Sequence, residues 1–404
     1  MQGGEGNSSV HILSIPFPTV GHILHRLLLR GLTVTVVVTP KNLHYLNPLL
    51  SFQSSNLYHI LVFPLPSNTS IPPGVENVKD VDHIVYTPRF VTVLAQLKDP
   101  LVQWFQTHPS PPVAIISDFL LASWTNPLAS HLNVKNLSFS VLSAHSIARW
   151  CDKMKNIQEE FTKHDRLWAL GPLQKEKDSE KGGPISSIPQ DQVIAWLEYS
   201  CQDKSVVYVA FGSQVRLSKP KMEAVASALE KSEVRFIWAV RDPRKGNEDE
   251  DNEIPEEFEE HVAGSGRGLV IKGWTPQLAI LEHRAVGSFL THCGWNSTLE
   301  AVLSGVLLLA WPMALVDNSF VAKLLVDELG VAIRVCEDLN SVPDATKLAN
   351  LLSESVSIER SRPERVRAMK LRETAMAAIQ KGGSSDKALD GLVETLCSLK
   401  CMKN

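Results

Sequence analysis

Val286-Gly287-Ser288-Phe289-Leu290-Thr291-His292-Cys293-Gly294-Trp295-Asn296-Ser297-Thr298-Leu299-Glu300 is the stretch on which the reading of this chain turns. VGSFL is a short apolar run of the kind buried in a parallel sheet, and a helix follows through Ser297 to Ser304. A strand that passes through a glycine-containing loop into a helix leaves free backbone N–H groups and the positive end of the helix dipole at that loop, which suits a diphosphate. His292, Asn296 and Ser297 are donors for phosphate oxygens. Glu300, one turn on, is an acceptor for ribose hydroxyls, and Gly294 allows close backbone approach. The same residues have a plainer reading, with Ser297-Thr298-Leu299-Glu300 a capping box and His292 a satisfied loop histidine.

The same logic recurs on either side of this stretch. Val206–Phe211 (VVYVAF) leads into Gly212-Ser213-Gln214, a helix from about Lys219 and a strand over Val234–Val240. The Ser213 hydroxyl and N–H suit the diphosphate from the opposite side, although Gly-Ser is also an ordinary turn. Near the start, His11–Phe17, Gly21-His22 with LHRLLLRG, and Thr33–Thr39 read as strand, loop, helix and strand. Val113–Ile116 is another buried strand and ends in Ser117-Asp118, so Asp118 lies at the carboxyl end, where open α/β sheets bind ligands. Alternation of this kind predicts an α/β class with parallel sheets.

A chain of 404 residues with 44% apolar content exceeds one ordinary core, and two domains are expected. Lys, Glu, Ser, Gly and Pro dominate between Gly171-Pro172 and Pro189, the composition of a linker. A net charge of −4 offers no basic surface for nucleic acid or anionic lipid, so small-molecule partners are expected. Six cysteines without CxxC spacing, and a start that lacks both basic and apolar runs, point to the cytoplasm. The apolar stretch near 299–316 falls short of the ~20 residues of a spanning helix, so no integral membrane segment is expected. His and Cys lack ligand spacing, which speaks against a metal. Gly264-Ser265-Gly266-Arg267-Gly268 precedes a strand and is not GxGxxG, which speaks against a dehydrogenase, and there is no P-loop.

Trp274-Thr275-Pro276-Gln277, His283, the block through Glu300, Trp311 and Asp317-Asn318 together resemble the signature box of the plant family-one UDP-glycosyltransferases. The resemblance implies a GT-B fold of two facing Rossmann-like domains: residues 1–173 for the acceptor, a linker over 174–190, residues 191–385 for the UDP-sugar, and a helix over 386–404 crossing back, introduced by Gly382-Gly383-Ser384-Ser385. It implies that Trp274 and Gln277, with Thr275 between them, frame the uracil, and that Trp295, Asp317 and Asn318 meet the sugar hydroxyls. His22, matching the Gly-His that closes a Phe-Pro-x-x-Gly-His motif, becomes the general base, a role that suits an imidazole of ordinary pKa ~6.5. Asp118 becomes the partner that orients it and stabilises its cation. His25, on the same helix face, is the competing candidate.

The implied reaction is inverting and metal-free, with the UDP-sugar as co-substrate and no separate cofactor, in a monomer. Thr39-Pro40-Lys41-Asn42-Leu43, Leu46-Asn47-Pro48-Leu49-Leu50 and Phe211-Gly212-Ser213-Gln214 resemble the subgroup acting on flavonols and small benzoates. That points to a phenolic acceptor, with glucose ahead of rhamnose or xylose as the sugar. Some departures stand out. Met313-Ala314-Leu315-Val316-Asp317-Asn318 needs a one-residue insertion and carries Asn in place of Gln, which leaves the sugar open, and Leu307 replaces a proline. The helix after His22 lacks about two turns by helix arithmetic, and much of the first domain is missing around Ser143–Lys155. The alternative is therefore a catalytically impaired UDP-sugar binder or regulatory isoform.

Overall fold

The apolar runs named above are the buried middle strands of two parallel sheets. The structure is a computed structural model that describes residues 10–17, 21–46, 56–67, 70–81, 83–147, 170–173, 186–200, 202–212, 215–240, 254–313, 316–337, 341–357 and 362–401. The described residues form two compact units, the first drawn from Met1–Val141, Trp168–Lys175 and Lys381–Asn404 and the second from Leu142–Leu167 and Glu176–Gln380.

In the first unit, β1 (His11–Ile15), β2 (Thr33–Val38), β3 (Tyr58–Val62), β4 (Ala114–Asp118) and β5 (Lys135–Phe139) lie in the order β3-β2-β1-β4-β5. Every pairing is parallel; Ile12, for example, sits between Val34 and Ala114. Helices α1 (Gly21–Leu28), α2 (His83–Leu94), α3 (Lys98–Thr107) and α4 (Ala122–His131) belong to this unit. β1 and β4 are buried along their whole length because helices cover both faces of a parallel sheet.

The second unit repeats the plan with β6 (Val206–Ala210), β7 (Arg235–Val240), β8 (Gly268–Lys272), β9 (Val286–Thr291), β10 (Leu307–Ala310) and β11 (Ala332–Arg334), in the order β11-β10-β9-β6-β7-β8. Its helices are α5 (Gln190–Ser200), α6 (Lys219–Ser232), α7 (Glu256–Ser265), α8 (Gln277–Glu282), α9 (Trp295–Ser304), α10 (Val316–Lys323), α11 (Ala345–Ser355) and α12 (Pro363–Ile379), with a π turn at Leu324–Glu328. In each sheet the order reverses beside the first strand, between β1 and β4 and between β6 and β9. Open α/β sheets bind ligands at the carboxyl ends of the strands flanking such a reversal.

The compact units divide the chain differently from the boundaries read in sequence. Residues 142–147 group with the second unit, not the first, and the return to the first unit starts at Lys381. Of the linker 174–190, residues 174–185 lie outside the described residues. Ser186 and Ser187 are docked on the edge of β8: Ser186 bridges Gly273, Ser187 N–H donates to Lys272 O at 3.0 Å, and Lys272 N–H donates to Ser187 Oγ at 2.7 Å. The acidic run at 246–253 also lies outside the described residues.

The last helix, α13 (Ser384–Cys401), completes the first unit. Leu389, Leu392 and Leu396 repeat at helical spacing and are buried among Ile12, Ile23, Leu27 and Val34. Arg30 anchors the same helix by donating to Asp386 at 2.5 Å and Asp390 at 2.6 Å, and Ser385 Oγ donates to Gly171 O at 2.8 Å. Among the described residues no helix is long and apolar enough to cross a membrane. Leu396 is fully buried, so Leu396→Ala is expected to cost about 2–5 kcal/mol of stability, read as a lower midpoint of the first unit's urea unfolding.

Candidate functional site

The carboxyl ends of β6 and β9 meet at one imidazole. His292, the residue after β9, lies between two glycines: a Cβ built on Gly212 would come within 2.7 Å of its ring and one on Gly294 within 2.4 Å of its Nε2. Gly212 is also in the left-handed region, at φ +77, so any side chain there is both strained and obstructed. Between them Cys293 takes φ +66, an uncommon conformation for a non-glycine residue. Its thiol is buried, which pushes its pKa up to about 12, so it is chemically inert at neutral pH.

Burial also lowers the pKa of His292 to about 4. The ring is therefore neutral at neutral pH and offers one N–H, a hydrogen bond without a charge. Its Nδ1 is buried with no hydrogen-bond partner among the described residues.

Helix α9 begins at Trp295 with Gly294 as its N-cap, and no side chain caps it. This overturns the capping-box reading of Ser297–Glu300: Ser297 is the third residue of the helix, which starts two residues earlier than the sequence suggests. The first-turn N–H groups are left for an anion at the positive end of the dipole. Asn296 is exposed there, with Trp295 and Ser297 partly buried beside it.

Glu300 is buried one turn further on and accepts from Gln277 Nε2 at 2.7 Å; the same amide donates to Ser297 Oγ at 3.2 Å. Tyr208 OH lies 3.5 Å from Gln277 Oε1, and its ring stacks on Phe289 at 4.9 Å. The side-chain amide of Gln277 thus ties the start of α8 to two residues of α9, Ser297 and Glu300. Gly273, at φ +96 and donating to Val240 O at 2.8 Å, holds the turn from β8 that presents the partly buried Trp274 and Thr275. Thr275 Oγ1 is buried without a partner among the described residues, and Thr275 O accepts from Gln277 N–H at 2.8 Å.

Three residues of the signature pattern serve the framework. Trp311 is fully buried and packs edge-on against Phe211 at 5.4 Å beneath the site. His283 Nε2 pairs with Glu198 at 3.0 Å, and its Nδ1 accepts from Ala285 N–H at 3.2 Å, fixing the end of α8 to α5. Asn318 was expected at the sugar hydroxyls, but it is 2% exposed and its amide donates to Met313 O. One of its two amide N–H donors is thus taken by the backbone. Asp317, in the first turn of α10, stays partly exposed, with its carboxyl pKa raised by burial. Ser213 lies outside the described residues.

At the matching reversal of the first unit, Asp118 ends β4, 1% exposed, and its Oδ1 accepts from Leu120 N–H at 2.9 Å. Burial raises its pKa to about 6 against the opposing effect of that hydrogen bond. The backbone of His22 is the second position of α1, in the loop-to-helix turn after β1; its side chain lies outside the described residues. His25 is partly buried on α1. Among the described residues no group of three or more His, Cys, Asp and Glu side chains is arranged to hold a metal ion.

Sequence reasoning did not single out Gly212 and Tyr208 as parts of the site. A glycine directly after a buried central strand is the signal for the first; nothing in the spacing marks the second.

Two parallel Rossmann-like sheets of this order, with an uncapped helix start at the second reversal, define an α/β protein of GT-B type. Residues 184–341 match the family model for UDP-glucoronosyl and UDP-glucosyl transferases. A flavonol 7-O-rhamnosyltransferase of Arabidopsis thaliana is 44% identical, covering 96% of this chain and 98% of its own. The Arabidopsis thaliana flavonol 3-O-glucosyltransferase UGT89B1 is 40% identical, covering 97% of each chain. The crystal structure of Arabidopsis thaliana UGT89C1 complexed with UDP-L-rhamnose superposes with a TM-score of 0.86 at 43% identity, over 96% of this chain and 99% of that one. The chain belongs to the plant family-one UDP-glycosyltransferases and is a glycosyltransferase of GT-B fold. The two relatives align over 431 and 471 positions, more than the 404 residues here, so stretches of both have no counterpart in this chain.

Two outcomes follow from the imidazole between its glycines. Gly212→Ala is expected to weaken UDP binding at least about tenfold, ~1.4 kcal/mol or more, by calorimetry on folded protein. The unfolded chain's imidazole takes a proton near 6.5 but the folded one only near 4, so between those values the unfolded state binds more protons and stability falls as pH drops. His292→Asn is expected to lose less melting temperature than the wild type between pH 6.5 and 4.5.

Proposed function

We propose that the protein transfers a sugar from a UDP-sugar to a hydroxyl of a flavonol-type phenolic, with inversion and without a metal or resident cofactor. The observation that carries the donor half is the uncapped start of α9 beside the neutral His292 held between Gly212 and Gly294, with Glu300 tethered one turn away. UDP's diphosphate accepts from the first-turn N–H groups, Asn296, Ser297 and His292, and Glu300 accepts from the ribose. Trp274 offers a ring face to the uracil, and Asp317 accepts from a sugar hydroxyl. The acceptor class rests on the relatives, which are named as flavonol glycosyltransferases. One carries rhamnose and the other glucose, so donor choice is the finer point to test; glucose is the first choice.

His22 removes the acceptor's hydroxyl proton as that oxygen attacks the anomeric carbon. The bond from that carbon to the diphosphate breaks on the opposite face and UDP departs with its electron pair. Asp118, ionised, stabilises the imidazolium. Burial makes that ionisation costly unless a cation forms nearby, and the imidazolium supplies one. The developing charge on UDP meets fixed dipoles at the start of α9.

A second reading, a UDP-sugar binder with impaired transfer, is favoured by the stretches of the relatives that have no counterpart here.

UDP release from UDP-glucose and UDP-rhamnose, measured with a flavonol and hydroxybenzoate panel, separates the two. Transfer predicts acceptor-dependent release, insensitive to EDTA and lowered by His22→Ala at least about 100-fold. Its kcat/KM should be supported by the Asp118 carboxylate above about pH 6 and fall below it, and Asp118→Asn should abolish that support. UDP binding with no release from any acceptor would establish the second reading.

A further inference from the structure

Helix α12 (Pro363–Ile379) has seventeen residues and none of them is buried. Ala368 and Leu371 reach the core only partly. Most surface helices are held by an apolar stripe; this one is tied down by arginines, each donating to a backbone carbonyl. Arg365 donates to Gly287 O at 3.1 Å and to Ser355 O at the end of α11, Arg367 to Gly330 O at 2.6 Å, and Arg372 to Leu303 O at 2.8 Å.

The last of these touches α9. That helix ends with Gly305 at φ +71, whose N–H donates to Val302 O at 3.1 Å, while Val306 N–H donates to Ala301 O at 3.1 Å. This pair of bonds satisfies two of the helix's last four carbonyls, those of Ala301 and Val302; that of Leu303 lies outside the pair. Arg372 Nε takes it. The guanidinium also brings a full positive charge to the negative end of the α9 dipole. Its stem lies close against the helix end, where a Cβ on Gly305 would be 2.7 Å from Arg372 Cδ and 3.1 Å from Met369 Sδ.

We propose that Arg372 is a positioning residue for the donor site: by holding the carboxyl end of α9 it fixes where the amino end presents its N–H groups to the diphosphate. This rests on the reading of the α9 start as the diphosphate site. The Arg367 contact involves no part of α9, so it provides an internal control within the same helix.

The test compares Arg372→Met, Arg372→Lys and Arg367→Met with the wild type. Met keeps an unbranched stem against Gly305 and removes the guanidinium. The deciding measurements are hydrogen exchange of the α9 amides Thr298–Gly305 without ligand and the Kd for UDP, with the melting temperature and the KM of each substrate recorded beside them. Arg372→Met is expected to speed that exchange and weaken UDP binding about three- to tenfold, as loss of a charged hydrogen bond would. Arg372→Lys should recover part of both, and Arg367→Met should leave both near wild type despite a similar fall in melting temperature. The acceptor KM should stay unchanged while the donor KM rises. Unchanged α9 exchange in Arg372→Met overturns the brace. Faster exchange with unchanged UDP affinity overturns its role at the donor site, as does an equal loss of affinity in Arg367→Met. A wild type that fails to bind UDP overturns the donor-site reading itself, while the exchange data still decide whether Arg372 braces α9.

Discussion

Close approach of two backbone segments to a single aromatic ring is the constraint on which the second unit's chemistry rests. A parallel sheet whose strand order reverses beside its first strand leaves a crevice between the carboxyl ends of two neighbours. Here the crevice takes His292, and the chain affords the ring no more than glycine on either side, at Gly212 and Gly294. The imidazole is desolvated and stays neutral. Cys293 is forced into a conformation it would otherwise avoid. The helix that follows starts without a side-chain cap because Gly294, required small by the ring, is its cap residue. One steric requirement thus yields the turn, the protonation state and the free N–H groups.

The central strands were readable and the marginal ones were not, for a physical reason. β1, β4, β6, β9 and β10 are buried from end to end, so each shows as a near-continuous apolar run. At the sheet margins, β5 (Lys135–Phe139) carries mixed residues with no such run, while β3 (Tyr58–Val62) has a short apolar run, Ile60–Val62, that the sequence reading passed over and that is nowhere fully buried. β11 is three residues long, too short for any pattern. Helix α12 escaped notice because its polar attachment erases the periodicity by which a packed helix is recognised.

Within the site, residue type and spacing identified the neighbourhood but not each task. His292, Gly294 and Glu300 stand where the strand-loop-helix pattern puts them. Asn318, His283 and Trp311 belong to the same pattern, yet they bond to a backbone carbonyl, an ion-pair partner and an aromatic neighbour. A sequence pattern records that a position is constrained; only geometry separates constraint by ligand from constraint by packing. Gln277 is held within the protein in the same way, its amide bonded to Glu300 and Ser297.

The helix Ser384–Cys401 closes the core of the unit that begins the chain. On a ribosome, the strands around Ile12 and Val34 emerge hundreds of residues before Leu389, Leu392 and Leu396 are made. For that interval the apolar side of α1 waits uncovered, and this unit cannot reach its final packing until residues 384–401 have been made. The second unit contains all six strands of its sheet within one uninterrupted stretch and has no such dependence. Order of synthesis and order of folding are therefore opposed in this protein: the half made first is the half completed last.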